Sequence, residues 1–352
     1  GAGGPAVSLA YGVLADGGVC ARVDGRVLDL SGLDPVLDAN SLNPLMATDL
    51  DFRRALVARL DEGREVEAPR LRRPIAVADY VDFYSSLAHA ENLGRMFRPG
   101  SEPLLPNWRH LPVGYHGRSG TVVGSGTRVR RPNGQRGAGD FGPSARLDIE
   151  LEAGFVIGSP SRMGEPVPVE SALDHVFGMV LVNDWSARDI QAWEYQPLGP
   201  FLGKSFATSM SNWVVPMEGL AGLRVPAPPQ EPEPLPYLRE EPWAFDIPLE
   251  VELNGSVVAR SNTRHLYWSI AQQIAHLTVN GASLRTGDLL ATGTISGPGR
   301  EERGSLIELS WNGTEPLQLP GGQTRSFLED GDEVVLRGEP LGEVRGRIEG
   351  GR

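Results

Sequence analysis

The chain has 352 residues, 45 acidic and 33 basic, a formal charge of −12 that argues against nucleic acid as a partner, because phosphate backbones are bound by dense cationic surface. At about 150 residues per domain the length suggests two domains, and an apolar content of 40% supplies a substantial core and excludes disorder. The single cysteine, Cys20, excludes an intramolecular disulfide scaffold and fits a reducing, cytoplasmic setting.

Gly and Pro, 44 and 29 residues, favour turns and short strands over long helices. Residues 6 to 30 read as strands around Tyr11–Leu14 and Val27–Leu30, with turns at Gly17-Gly18 and Asp24-Gly25. Phe52, Leu56 and Leu60 then recur four apart, predicting a helix over Asp51–Glu65 that stops near Gly63. The basic stretch Ala68–Pro74 is the linker candidate and sets two domains, 1–74 and 75–352. A helix is predicted over Ser86–Phe97, followed by strands at Thr121–Val123, Leu147–Ile157 and Val176–Val182. Ala227–Pro242 is proline-rich and acidic and reads as a surface excursion. A strand at Leu249–Leu253, a helix at Ser269–Val279 stopped by Asn280-Gly281, and strands at Leu289–Thr292, Leu306–Trp311 and Glu333–Leu336 complete the chain. Asn-Gly pairs at 133-134, 254-255 and 312-313 predict hairpin turns. The class is mainly β with minor helix. No apolar run approaches the ~18 residues of a membrane span, and no basic n-region leads into an apolar stretch as a secretory leader requires, so neither membrane association nor secretion is expected.

Several motifs fail. Gly199-Pro-Phe-Leu-Gly203-Lys204-Ser205 has one residue too few between its glycines for a phosphate-binding loop, Gly124-Ser-Gly126 lacks the third glycine of a dinucleotide fingerprint, and neither a serine-hydrolase elbow nor a zincin motif occurs. Leu147–Glu152 alternates apolar and acidic residues, so a strand there lines up three carboxylates, which suit a hard ion such as calcium or magnesium. Leu249–Leu253 has the same alternation, so spacing alone does not separate an ion site from a solvated face. Asp184, Arg188, Asp189, Gln191 and Lys204 fall among Trp185, Trp193, Tyr195 and Phe201, a composition that fits a small-ligand pocket. Lys204 is the only lysine among 33 cationic residues, which points to a position needing a compact ammonium. Asp82, Tyr84 and His89 set an acid, a phenol and an imidazole at the start of a helix, but local spacing singles out no catalyst among six histidines.

Taken together, the strings Asp79–His89, Leu105–Arg118, Asp148–Glu152, Asn183–Thr208 and Thr292–Gly297 resemble the fumarylacetoacetase (fumarylacetoacetate hydrolase) family, in order, from about residue 74 to 337. The resemblance implies an N-terminal SH3-like barrel, a C-terminal mixed β-roll and a homodimer. It implies metal-dependent hydrolysis of a carbon-carbon bond in a small dicarboxylate β-diketone, giving fumarate and acetoacetate at the end of tyrosine and phenylalanine catabolism. Matched residue by residue, it implies metal ligands Asp82, Glu150, Glu152 and Asp184, with Lys204 and Thr208 near a Ca2+, Mg2+ or Mn2+ ion. Substrate contacts would come from Tyr84, Arg98, Tyr115, Gln191, Tyr195 and Thr294; His89 would be the base oriented by Glu308, and Arg188, Gln191 and Lys204 would stabilise developing charge. The N-terminal third and the loop Pro298–Gly304 depart from the family pattern. An acylpyruvate hydrolase or oxo-acid decarboxylase would share the acidic site, and a non-catalytic metal-dependent binding module would keep the carboxylates but lose His89 or Lys204.

Overall fold

The computed structural model describes residues 9–351, so the start of the first expected β unit lies outside the described residues. Strands Leu9–Leu14, Val19–Val23 and Arg26–Asp29 form an antiparallel meander, extended by Arg64–Glu65 on one side and Leu71–Arg72 on the other. The basic stretch read as a linker therefore contains the fifth strand of this sheet. No pairing among the described residues joins Arg64–Glu65 to Leu71–Arg72, so the ladders do not by themselves close the SH3-like barrel that the resemblance implies. The helix expected over Asp51–Glu65 is shorter. It runs Leu50–Val57, capped by Asp49, and ends before Gly63 because the chain turns through Leu60–Glu62 into the edge strand.

The centre of the molecule is an eight-stranded mixed sheet, ordered Gly114–His116, Tyr80–Phe83, Leu289–Ala291, Leu151–Ile157, Val176–Asp184, Thr208–Met210 and Val122–Gly124, with Val215–Pro216 also on Val176–Asp184. Every residue of Leu151–Ile157 and Val176–Asp184 is buried, which explains why these segments carry apolar residues on both faces. Val156, Val180 and Val182 pack with Tyr11, Val13 and Leu28 of the N-terminal sheet. Phe155, Met179 and Leu181 pack the other way, against Leu249, Leu336 and Val344 of a five-stranded sheet that includes Pro248–Leu253, Glu333–Gly338 and Gly342–Glu349.

Three turn and strand expectations change. Leu306–Leu309 is a helix: the Asp148 carboxylate accepts from the amides of Leu306 and Ile307, at 2.7 and 3.2 Å, and so caps its first turn from 158 residues away. Asn312-Gly313 follows that helix rather than joining two strands, and Asn133-Gly134 lies inside the strand Asn133–Gly137, where a Cβ on Gly134 would meet Ile190 at 2.7 Å. Only Asn254-Gly255, with φ of 51° and 80°, makes the expected hairpin. The proline-rich excursion is anchored through the buried Leu238 and through Gln230, whose amide donates to Gln272 at 2.9 Å on the helix Ile270–Thr278.

The helix Leu87–Phe97 carries Gly94, where a Cβ would sit 1.8 Å from the backbone oxygen of Pro103. Gly94→Ala, which helix propensity alone would favour, should therefore destabilise the protein by about 1–3 kcal/mol. Urea unfolding of the two proteins measures this, and equal or higher stability of the variant would contradict the close approach.

Candidate metal and catalytic site

The site gathers where strands of the central sheet end. Asp82 is carried by Tyr80–Phe83, Glu152 stands at the head of Leu151–Ile157, and Asp184 closes Val176–Asp184. Register aligns them: Asp82 is opposite Ala291, Glu152 opposite Val182, and Asp184 opposite Thr208. Glu150 precedes Leu151 in a break between two strands. Ligand atoms of Asp82, Glu150, Glu152 and Asp184, all buried, lie within 4.8 Å of one another.

That break separates the three acids that a continuous strand would have put on one face. Asp148 turns to Arg188, 2.7 Å from its Nε, and to the helix it caps. Glu150 is held by two cations, Arg188 Nη1 at 2.7 Å on Oε1 and Lys204 Nζ at 2.5 Å on Oε2. Lys204 also reaches Asp184 Oδ2 at 2.8 Å, while the Thr208 hydroxyl donates to Asp184 Oδ1 at 2.8 Å and the Tyr115 hydroxyl to Oδ2 at 3.2 Å. The other half of the cluster keeps bare oxygens: Asp82 Oδ1 and both carboxylate oxygens of Glu152 are buried without a hydrogen bond.

The proton affinities follow this division. Burial pushes Asp82 and Glu152 well above the ordinary carboxylate range, and neighbouring acids add to it, Asp184 for the first and Asp82 for the second. Burial acts on Glu150 in the same sense, but Lys204 and Arg188 outweigh it and hold this carboxyl well below the usual range. Conversely, burial would lower Lys204, yet Asp184 and Glu150 raise it above an ordinary lysine. Lone buried carboxylate oxygens with hard-donor chemistry fit a divalent cation of the calcium, magnesium or manganese kind.

Lys204 is positioned by the turn Phe201–Ser205, whose Phe201 and Gly203 amides donate to Glu194 at 3.1 and 2.6 Å. A Cβ at Gly203 would meet the backbone and side chain of Gln191 at 2.8 Å, so the glycine lets this loop press on the helix Arg188–Glu194. The glycine pattern that resembled a phosphate loop thus has a packing origin.

The second constellation sits on the helix Leu87–Phe97. His89, 2% exposed, places Nδ1 2.7 Å from Glu308 Oε2. Glu308 is fully buried and also accepts from Asn92 Nδ2 at 2.9 Å, Ser296 Oγ at 2.9 Å and Ser305 Oγ at 2.7 Å. Burial alone would raise its pKa, but His89 and these donors bring it down to about 2. A carboxylate facing Nδ1 makes that nitrogen the N–H and leaves Nε2 as the basic atom. Tyr84 stacks edge-on against His89 with ring centres 5.2 Å apart.

Of the remaining sequence candidates, Thr294 is buried with an unpartnered hydroxyl, and Gln191 accepts from Arg188 Nη1 at 3.3 Å. Arg98 donates to the Pro103 carbonyl at 2.6 Å, and Tyr195, 44% exposed, stands at the surface with Trp193 and Phe201. Trp185 belongs to the core and Asp189 caps Ser144 and Ala145, so neither joins the site. Glu250 and Glu252 pair with Arg260 and Arg337 on the outer sheet, at 3.3 and 2.6 Å, and form no cluster. The sequence reading missed Asp148 as partner of Arg188, and Asn92, Ser296 and Ser305 as partners of Glu308. Asn92, three residues after His89 on the same helix face, and Ser305, three residues before Glu308 in a Ser-x-x-Glu pattern, carried a local signal; Asp148 and Ser296 did not.

The family model for the fumarylacetoacetate hydrolase C-terminal region matches residues 80–349. The chain is 56% identical to the fumarylacetoacetase of Rattus norvegicus over 282 residues, 77% of this chain and 67% of the relative, and 44% identical to that of Mus musculus over 387 aligned positions, 96% of this chain and 92% of the relative. In fold it is similar to a fumarylacetoacetate hydrolase from Exiguobacterium antarcticum, with a TM-score of 0.62 at 20% identity over 98% of this chain and 100% of that one. It is also similar to a maleylpyruvate hydrolase from Sphingobium solved with manganese(II) and pyruvate, with a TM-score of 0.60 at 17% identity over 97% and 100%.

A cation bound by the folded cluster raises the melting temperature by mass action, by about 2.7 kcal/mol of stability at a hundred times its dissociation constant. Ca2+, Mg2+ or Mn2+ should stabilise the wild type in thermal unfolding, and Glu152→Gln should lose most of that gain. An unchanged melting temperature with all three ions would count against the site.

Proposed function

The chain belongs to the fumarylacetoacetate hydrolase family, and from that premise we infer that it hydrolyses the carbon-carbon bond of 4-fumarylacetoacetate to give fumarate and acetoacetate. It is a hydrolase acting on a carbon-carbon bond of a diketone. The observation that carries this reading is the union of its two constellations: Asp148 binds the Arg188 that holds Glu150 and also caps the short helix whose Glu308 faces His89, so a buried base and a buried acid cluster are tied together. A non-catalytic binding module has no use for the base. The acylpyruvate hydrolase and oxo-acid decarboxylase readings would retain the acid cluster, but the curated relatives with which this chain shares 44% to 56% identity are fumarylacetoacetases.

Asp82, Glu150, Glu152 and Asp184 would hold the divalent ion, with Lys204 and Thr208 fixing Asp184 and Glu150 beside it. When bound, such an ion supplies Lewis-acid polarisation of the diketone oxygens. His89 Nε2 takes a proton from the water whose oxygen bonds to the carbonyl carbon. Glu308, locked by four donors, keeps Nδ1 protonated and stabilises the imidazolium. Breaking the carbon-carbon bond leaves its electron pair on the acetoacetate fragment as an enolate. Arg188, Gln191 and Lys204 meet that charge, and the proton held by His89 returns to its carbon. Tyr84, Arg98, Tyr115, Tyr195 and Thr294 are assigned to substrate contact. Among the described residues no helix is long and apolar enough to cross a membrane. A cytoplasmic homodimer working in tyrosine and phenylalanine catabolism, with Ca2+ or Mg2+ as the ion, completes the reading on the strength of the family resemblance.

An assay with fumarylacetoacetate, with and without chelator, tests it: turnover should occur and should fall with chelation, whereas turnover of acylpyruvates alone would favour the alternative. His89→Ala should lower kcat by on the order of 10² to 10⁴ while keeping the ion-dependent rise in melting temperature; near wild-type turnover would point to another base. Lys204→Arg keeps the charge but replaces a compact ammonium that bridges two carboxylates by a wider, rigid fork. Its kcat should fall on the order of ten to a hundredfold, with a smaller change in KM, and kinetics matching the wild type would make Lys204 a bystander.

A further inference from the structure

The stretch Leu71–Arg73 is not used by the chemistry above, yet it forms one wall of a groove of about 740 Å³ between the N-terminal sheet and the outer strand Val122–Gly124. This volume falls within the ~300–1,000 Å³ of small-molecule sites. Arg72 and Arg73 both line the groove, and no Asp or Glu does, although the chain carries a net charge of −12. Among the described residues their side-chain partners are neutral, Asn40 Oδ1 for Arg72 and the Val122 carbonyl for Arg73, and neither guanidinium is ion-paired.

The wall opposite the arginines is fixed by Asn212, whose amide donates to the Ser125 carbonyl at 3.1 Å. At Gly124 a Cβ would sit 2.6 Å from Asn212 Oδ1 and 3.1 Å from the Arg73 amide, so the glycine lets Asn212 and the Arg73 backbone pack closely on the strand Val122–Gly124. Leu71 and Val123, both half-buried, add apolar lining beside the two guanidinium groups.

We propose that this groove binds a small organic anion, its oxyanion held by Arg72 and Arg73 and its apolar body set against Leu71 and Val123. A planar guanidinium pair matches carboxylate or phosphate oxygens in bidentate fashion. The site is separate from the acid cluster and does not depend on the activity proposed above.

Isothermal titration of the full chain, in chelator, with 1-naphthyl phosphate and separately with 2-naphthoate compares the two head groups on one body. At least one should bind saturably with a dissociation constant of about 1 mM or tighter, and the tighter one identifies the preferred oxyanion. Arg72→Gln should weaken binding about tenfold. Ala76→Glu, which puts a negative charge on an exposed position of the groove wall, should abolish it. Both variants should keep the wild-type melting temperature, since neither position is buried. Failure of both probes to saturate, or binding that survives unchanged in both variants, would overturn the proposal.

Discussion

Five carboxyl groups, Asp82, Asp148, Glu150, Glu152 and Asp184, are buried beside only two cations, Arg188 and Lys204. An unpaired charge withdrawn from water costs several kcal/mol, so the fold tolerates this excess only if it is neutralised by protons or by a cation. The two buried cations are spent on one side of the cluster, where Glu150 and Asp184 are fixed. On the other side Glu152 and Asp82 keep bare oxygens, and their raised proton affinities express the same deficit. A divalent ion relieves it without adding bulk, and its binding would displace the protons these two acids otherwise retain.

The surrounding fold is arranged around that requirement. A sheet covered on both faces holds the strands that present Asp82, Glu152 and Asp184, which excludes bulk water from the cluster and fixes the spacing of its members through backbone register. Asp148 does two jobs at once: it anchors Arg188 and caps the short helix that carries Glu308. The cation side of the acid cluster and the partner of the base are thus tied through one carboxylate, so the two halves of the site cannot shift independently.

The central strands were legible because their apolar runs have no helical period, and the His89 and Ser269 helices because they carry caps and periodic faces. The site was legible only through long ordered strings. Leu147–Glu152 and Leu249–Leu253 have the same alternation, yet the first leaves its ladder at Ile149-Glu150 and closes on buried cations, while the second stays in one unbroken strand and pairs with surface arginines. Tertiary context decides between them, and a pattern of period two contains none. The strand expected at Leu306–Trp311 failed for a related reason, since the group that starts that helix lies 158 residues earlier. Lys204 is the counter-example: its rarity in composition marked a position whose geometry, bridging Glu150 and Asp184, the sequence could not show.

The buried charge excess places the cation between the bare oxygens of Asp82 and Glu152. Anomalous diffraction from crystals equilibrated with Mn2+ locates it directly. One strong peak is expected within bonding distance of Asp82, Glu150, Glu152 and Asp184, with the Glu152 oxygens engaged. An active crystal with no peak there, or with manganese bound elsewhere, would contradict it.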